Sequence, residues 1–597
     1  MGDSDHTGLP TSKKSLLTEP CDSDWRLRGL LCAATIAAYF PAFSLGFVGW
    51  DDPQYVTANP MVQQGLTKTS IAWAFTTLFA ANYHPLTWLS LMLDVELFGT
   101  APAGFHVTNV LLHMGNVLLV FELFRRIAGH RLNAAFVAVL LAVHPQHVES
   151  VAWVSERKDV LSIFFGLWAM RIYVGSSESK TGKRMLLVSS LMGLSLLSKQ
   201  TLVTLPCILL VLDRWLLTRR SPVANRPIRA TPNEQSGTGF WWRMVWEKWP
   251  LFLLSLVFSL GVVFAQQSWG AVQNLYSVPL PFRLGNAIVS YVTYLSHAIW
   301  PLNLCAHYPH PEDTIDLPSV VLGFVLLMGI STVTFRFRRE RPALWVGWLW
   351  YVGSLVPMIG VVQVGHQAMA DRYSYFPMLG IYFAVADALT KAFTRWTWLQ
   401  KRGLVLAILG VLLCIPLTWR QISFWSSGQR LWSRALAVTD NNIYAHFNLA
   451  QESFHAGDLQ RAAEHQLTVI DLLESTNLRL HPEVDSVLNN MAAILEAQGR
   501  LDEAIRYLTE AVRLQPTYLP RRITFAELLI RTDRFSEAIQ ELNSVLSIDP
   551  TLVNGRFLLG IAHLKLGQMP EARQSFEATL QLAPGHPEAK TNLDRLK

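Results

Sequence analysis

The sequence predicts an all-α protein: a polytopic helical membrane domain followed by a helical-repeat solenoid. Three observations carry that prediction. Long apolar runs recur between residues 28 and 420. Apolar residues make up 51% of the chain and charged residues only 16%, with 21 Trp and 30 Phe, the balance expected of a bilayer-embedded protein. From residue 421 onward the chain becomes charged and rich in Ala and Leu, holds no run long enough to cross a bilayer, and repeats at a fixed period. At 597 residues the chain is also too long for one core. The expected parts are a disordered cytoplasmic N-terminus at 1–27, a membrane domain at 28–420 and a repeat domain at 421–597.

About eleven spans are expected, near 29–48, 105–124, 132–148, 159–174, 185–198, 200–217, 249–266, 317–335, 343–362, 374–392 and 403–419. Basic loops set the orientation. Arg125, Arg126 and Arg131, then Lys180, Lys183 and Arg184, then Arg336 to Arg341, all fall on one side if the chain starts inside. The loops holding Asp51, Glu149 and Asp371 then fall outside, as does the repeat domain. Residues 285–302 are long enough to span, which would invert that scheme, so they are read as a re-entrant or interfacial helix ending near Pro301. A twelfth span is the alternative.

The repeat period is explicit. Gly499 to Pro516, Asp533 to Pro550 and Gly567 to Pro584 each carry a Glu-Ala pair five residues in, and the prolines recur every 34 residues. That is the tetratricopeptide period, with a turn residue between two amphipathic helices, Ala at their close contact and Pro ending the second. Gly457, with Ala462 and Ala463, opens an earlier unit 42 residues before Gly499, so an insertion is expected around Ser475–His481. A concave repeat face suits an extended peptide or partner protein; a folding or assembly scaffold is an equal reading.

The net charge of +6 is modest and its bases lie in short loops, which argues for topology signals and against a nucleic-acid surface. Five scattered cysteines show neither metal spacing nor a disulfide framework. There is no glycine-rich dinucleotide fingerprint, phosphate loop or nucleophile elbow. A soluble nucleotide-sugar fold is therefore not expected.

The candidate chemistry clusters in the outward loops. Asp51 and Asp52 follow Trp50 where the first apolar run ends. Adjacent side chains diverge, so one acid suits a base and the other a structural role. A helix cap at Asp52-Pro53 is the plainer alternative. His84 sits in a short outer motif. His106, Asn109 and His113 share one helix face, where hydrogen bonds between helices are the simpler reading. The run from His144 to Asp159 holds Glu149, Glu156, Arg157 and Lys158. His144 and His147 lack the spacing of a helical metal pair, so no metal is expected. Arg157 and Lys158 run against the positive-inside bias and are candidates for holding a phosphate, with pairing to Glu156 and Asp159 as the alternative. Lys199, isolated between two apolar runs, needs a partner that a lipid phosphate would supply. Arg372, between Asp371 and Tyr373, is a further phosphate candidate or an ion-pair partner of Asp371.

Taken together, Trp50-Asp51-Asp52 with Asn59, His84-Pro85-Leu86-Thr87, His106 with Asn109 and His113, His144-Pro145 with Glu149, Arg157 with Asp159, and Asp371-Arg372-Tyr373 with Pro377 resemble the TMTC family. Those are transmembrane, tetratricopeptide-repeat O-mannosyltransferases of the GT-C class, with the same order of parts. The resemblance covers most of the chain from about Leu45. It implies a GT-C-like membrane domain that transfers mannose from a polyprenyl phosphate to Ser or Thr of an extracytoplasmic protein. Asp51 or Asp52 would be the base. His144, Arg157, Lys158, Lys199 and Arg372 would lie near the donor phosphate. His84, His106, Asn109, Glu149, Asp159, Asp371 and Tyr373 would support them. No cofactor beyond the lipid-linked donor is implied. The partners would be the bilayer, the donor and an acceptor held by the repeats. The short array and composition suggest a bacterial member, placed in the inner membrane. A non-catalytic membrane-anchored scaffold for protein assembly is the second reading, and in it the acids are replaceable.

Overall fold

The computed structural model describes residues 24–175, 181–217, 238–268, 278–475 and 484–596. The N-terminal tail expected at 1–27 lies outside these up to residue 23, as do Lys180, most of the basic loop after residue 217 and most of the repeat insertion. Two compact units emerge, 1–427 and 428–597, so the first runs past the boundary expected at 420.

Among the described residues each expected apolar run is helical over most of its length, although the run at 343–362 leaves the helix after Leu355. The first begins at Asp24, four residues before the membrane domain was expected to start, and runs Asp24–Tyr39. Others include Pro102–Ala128, Arg131–Val143, Arg157–Gly175, Thr181–Ser198, Leu205–Leu217, Trp249–Ser268, Leu317–Arg336, Pro342–Leu355, Met378–Arg395 and Thr397–Phe424. Prolines at the first turn, as in Pro102 and Pro342, cost nothing because that N–H has no helical partner. Among the described residues five helices are long and apolar enough to cross a membrane, six if Arg131–Val143 and Pro145–Ala152 form one bent span. The other apolar helices are too short or too polar for that test. The bend of 58° in that pair falls at His144-Pro145, where Pro removes a backbone donor and holds His144 extended.

The helix Leu280–Ile299 covers the segment whose course was uncertain. Its successive turns follow one segment: the Asn286 amide donates to the Ala368 carbonyl at 2.9 Å and the Tyr294 hydroxyl to that of Ala370 at 3.0 Å. His297 reaches Asp371 at 3.4 Å. That segment also forms a short antiparallel ribbon, Gln367–Met369 with Tyr308–Pro309.

Packing in this unit relies on small residues where helices cross. Gly347 and Gly380 face each other between Pro342–Leu355 and Met378–Arg395, and a Cβ on either would collide with the other's carbonyl. Phe124 packs on Phe383 and Trp350, with centroids 5.3 and 5.8 Å apart. Replacing Gly380 with Leu should lower stability by about 1–3 kcal/mol or more through overpacking. Thermal unfolding of the detergent-solubilised protein measures this, and an unchanged midpoint would show that the crossing can relax.

The second unit is a stack of antiparallel helix pairs. They are Ile443–His455 with Leu459–Ser475, Val484–Ala497 with Leu501–Leu514, Leu519–Arg531 with Phe535–Ile548, and Val553–Lys565 with Met569–Leu582, closed by Pro587–Arg595. The turns use a left-handed residue at equivalent positions: Gly457, Gly499, Asp533 and Gly567, with φ of 79°, 76°, 59° and 77°. Ala462, Ala504, Ala538 and Ala572 are fully buried where the paired helices touch. Part of the expected insertion is helix, since Leu459–Ser475 has 17 residues where the later second helices have 14.

Candidate functional site

The Asp-Asp pair divides its labour. Asp52 is 1% exposed and committed. Its Oδ2 accepts from the Val48 N–H at 2.9 Å, and its Oδ1 accepts from the Ser155 N–H at 3.0 Å and the Ser155 hydroxyl at 2.5 Å. Burial still pushes its carboxyl up to about 6. It does not cap the following turn. Instead it ties the loop before it to the turn at Ser155. Asp51 differs. Its half-buried carboxylate makes no hydrogen bond or ion pair among the described residues. Burial raises its pKa, while Lys158, Arg372 and Lys199 oppose the rise.

Those three cations converge because the chain from His144 to Asp159 is buried throughout. It turns through an extended Trp153 and a short turn, Val154–Glu156, before the helix Arg157–Gly175 begins. Asn109 holds that turn by donating to the carbonyls of Val151 and Trp153 at 3.1 Å each. Glu156 then sits at the centre. Its Oε1 lies 3.2 Å from the Lys158 ammonium and 3.4 Å from Arg372 Nε, and its Oε2 lies 2.8 Å from the Lys199 ammonium. Burial works against its charge, but the three cations hold its carboxyl well below the usual range. Lys199 also meets Asp159 at 2.7 Å, and Arg372 pairs with Glu149 through both its backbone N–H and its guanidinium. Lys158 lies over the Tyr55 ring at 4.5 Å, with the Tyr55 hydroxyl at 3.3 Å. Burial disfavours the Lys158 ammonium, yet Glu156, Tyr55 and Asp51 hold its pKa raised.

An aromatic stack adjoins this cluster. Trp50 lies flat on Trp153, 4.3 Å between centroids, and the guanidinium of Arg372 stands 5.6 Å from Trp153. A small cleft adjoins Arg372. Asp159, Arg372, Thr201 and Ser354 supply polar groups to its wall, while Ile163, Leu202, Met358, Phe376 and Pro377 supply apolar ones.

Several expected site residues are placed elsewhere. Arg157 is fully buried, and its guanidinium donates to Asp94 at 2.6 Å, the Phe105 carbonyl at 2.8 Å, Ser90 at 2.9 Å and the Asn109 side chain. Four of its five N–H donors are thus committed within the protein. His144 is likewise committed: Nδ1 accepts from the Gln146 N–H at 3.3 Å, and Nε2 lies 3.1 Å from the Ala298 carbonyl. His106 meets the Gly46 carbonyl and His113 the Tyr375 hydroxyl, as hydrogen bonds between segments. His84 stacks on Tyr55 and Trp88 behind Lys158, where burial and the nearby Lys158 and Lys199 keep it neutral. Asp371 does not pair with Arg372. It accepts from the Tyr308 hydroxyl at 3.0 Å and faces His297. The Tyr373 ring packs against Arg372 at 4.9 Å.

Sequence reasoning undervalued Glu156, treating it only as a neutralising partner. A charged run of four, Glu156 to Asp159, inside a long apolar stretch was the available signal. Tyr55, Trp153, Ser155 and Tyr308 were also missed. Among the described residues no group of three or more His, Cys, Asp or Glu side chains is disposed to hold a metal ion.

Known proteins add to this geometry. Tetratricopeptide-repeat models match residues 441–517, 495–554 and 534–596. The chain is 25% identical over 525 residues to "Protein O-mannosyl-transferase TMTC1" of Homo sapiens, covering 78% of this chain and 56% of that protein. It is 26% identical over 447 residues to "Protein O-mannosyl-transferase F38B6.6" of Caenorhabditis elegans, covering 71% and 59%. With "Protein O-mannosyl-transferase Tmtc3" of Drosophila melanogaster it shares 23% identity over 559 residues, covering 81% and 54%. The chain spans about half the length of the curated relatives it matches. Over roughly three quarters of its own length, this chain resembles the protein O-mannosyl-transferases of the TMTC family.

Proposed function

We propose that the first unit is a multi-pass membrane glycosyltransferase. It transfers a sugar, mannose by resemblance, from a polyprenyl phosphate to a Ser or Thr hydroxyl of an extracytoplasmic protein. One observation carries the reading: an uncommitted carboxylate, Asp51, stands near three converging cations, of which Arg372 also lines a small cleft with polar and apolar wall residues. The cations suit a phosphate and the apolar wall residues suit an isoprenoid chain.

The chemistry follows from these positions. A hydroxyl is a weak nucleophile, and Asp51 takes its proton as the oxygen bonds to the anomeric carbon. The bond from that carbon to the phosphate oxygen breaks, and the polyprenyl phosphate leaves with the electron pair. Lys158, Lys199 and Arg372 stabilise the charge that gathers on it. The site then faces away from the cytosol, in a bacterial inner membrane, and the extracytoplasmic repeats bind the acceptor protein.

Reconstitution in vesicles with polyprenyl phosphomannose and candidate acceptors tests this, read by mass spectrometry of the acceptors. Extracytoplasmic glycoproteomes with and without the gene give the cellular counterpart. Acceptors that gain no hexose in either would defeat the proposal. A pH profile gives a sharper check. Asp51 works only when ionised, and burial raises its pKa, so activity should be full at neutral pH and fall on acidification. The fall should begin above the ordinary aspartate range. A flat acid limb in kcat/KM would remove Asp51 as the base.

A further inference from the structure

We propose that Glu156 and the donor's phosphate compete for one seat among these cations, and that Glu156 gives it up when donor binds. This rests on Lys158, Lys199 and Arg372 being the phosphate ligands. The charge count motivates it. Asp51, Glu149, Glu156 and Asp159 are four acids around three cations, so with all ionised the cluster is already negative. With Asp51 protonated it is only neutral. Neither state offers spare positive charge to an incoming anion.

The partners show which acid can leave. Without Glu156, Lys199 keeps Asp159 at 2.7 Å. Arg372 keeps both contacts to Glu149. Lys158 keeps the Tyr55 hydroxyl at 3.3 Å and the ring beneath it. Glu156 alone touches all three cations, at 3.2, 2.8 and 3.4 Å. Its two oxygens therefore mark the point where non-bridging phosphate oxygens would meet the same three groups. It ends the short turn Val154–Glu156, so a rotation of one side chain vacates the seat without moving the helix that follows. Glu156 is thus a positioning residue for the three cations and a competitor for the phosphate.

Binding to the full chain in detergent tests this with farnesyl methyl phosphate, a diester carrying one fixed charge, against farnesol. The wild type should bind the diester and bind farnesol much less. Glu156→Gln should bind the diester about tenfold more tightly, the worth of one charge-assisted hydrogen bond no longer in competition. In turnover its KM should fall without a rise in kcat, because the polyprenyl phosphate product is also held longer. Glu156→Asp, shorter but still charged, should bind between the two and serves if the Gln variant does not fold. Equal or weaker binding by a folded Glu156→Gln or Glu156→Asp would overturn the proposal, since Glu156 would then be a scaffold the phosphate needs. Wild-type protein that prefers farnesol, or binds neither probe, would instead defeat the reading of the cations as phosphate ligands.

Discussion

Asp51→Asn should lower sugar transfer by about 10²- to 10⁴-fold, the range that a lost general base produces. Donor binding should hold or tighten slightly, because the variant removes a negative charge from beside Lys158, Lys199 and Arg372. The substitution is nearly isosteric, and the Asp51 carboxylate bonds to nothing among the described residues, so unfolding should be unchanged. Asp52→Asn should behave in the opposite way. Its carboxylate accepts from Val48 and twice from Ser155, and an amide turns one acceptor into a donor facing an N–H. That costs about 1–3 kcal/mol in a buried setting and should appear as a lower unfolding temperature, with activity lost in proportion to folded protein. Initial rates at saturating donor, beside unfolding curves, separate the two. A folded Asp51→Asn that keeps full activity would sink the base assignment. A folded and stable Asp52→Asn that is inactive would transfer the role to Asp52.

The contrast between these acids shows where sequence reasoning reached and where it stopped. Apolar runs and the 34-residue period are properties of continuous stretches, so helices and repeats were legible directly. Motif resemblance also pointed to loops that meet in this cluster. It could not say which member of each loop faces the site. Asp52 differs from Asp51 in accepting from Val48 close by and from Ser155, 103 residues away. Arg157 and Lys158 are neighbours, yet they leave the start of one helix in different directions. Arg157 goes to Asp94 and Asn109, and Lys158 goes to Tyr55 and Glu156. Such choices are settled by long-range partners that no local pattern encodes. The bias toward cations had a physical source too. A lone positive charge at a membrane surface invites an external anion, and here the chain supplies its own in Glu156.

Arg157 is where this distinction has its largest consequence for stability. Arg157→Met keeps the aliphatic stem but removes a guanidinium that makes four hydrogen bonds in a fully buried place. Asp94, 1% exposed, loses its cation, and Asn109 loses the group that orients it. Breaking a buried pair from one side costs about 3–5 kcal/mol, much of it the stranded charge. Asp94 can relieve part of that by taking a proton, since burial already raises its pKa. The variant should therefore unfold at a much lower temperature, and the loss should shrink as the pH falls. Asn109 also fixes the turn at Trp153, so loosening should spread toward Glu156. Removing both partners, as Arg157→Met with Asp94→Leu, should recover a large part of the stability, because no buried charge is then left alone. In the recovered double variant the diester should bind nearly as it does to the wild type. If instead Arg157→Met is as stable as wild type and has lost donor binding, Arg157 reaches the donor after all, and the division between structural and functional cations drawn here is wrong.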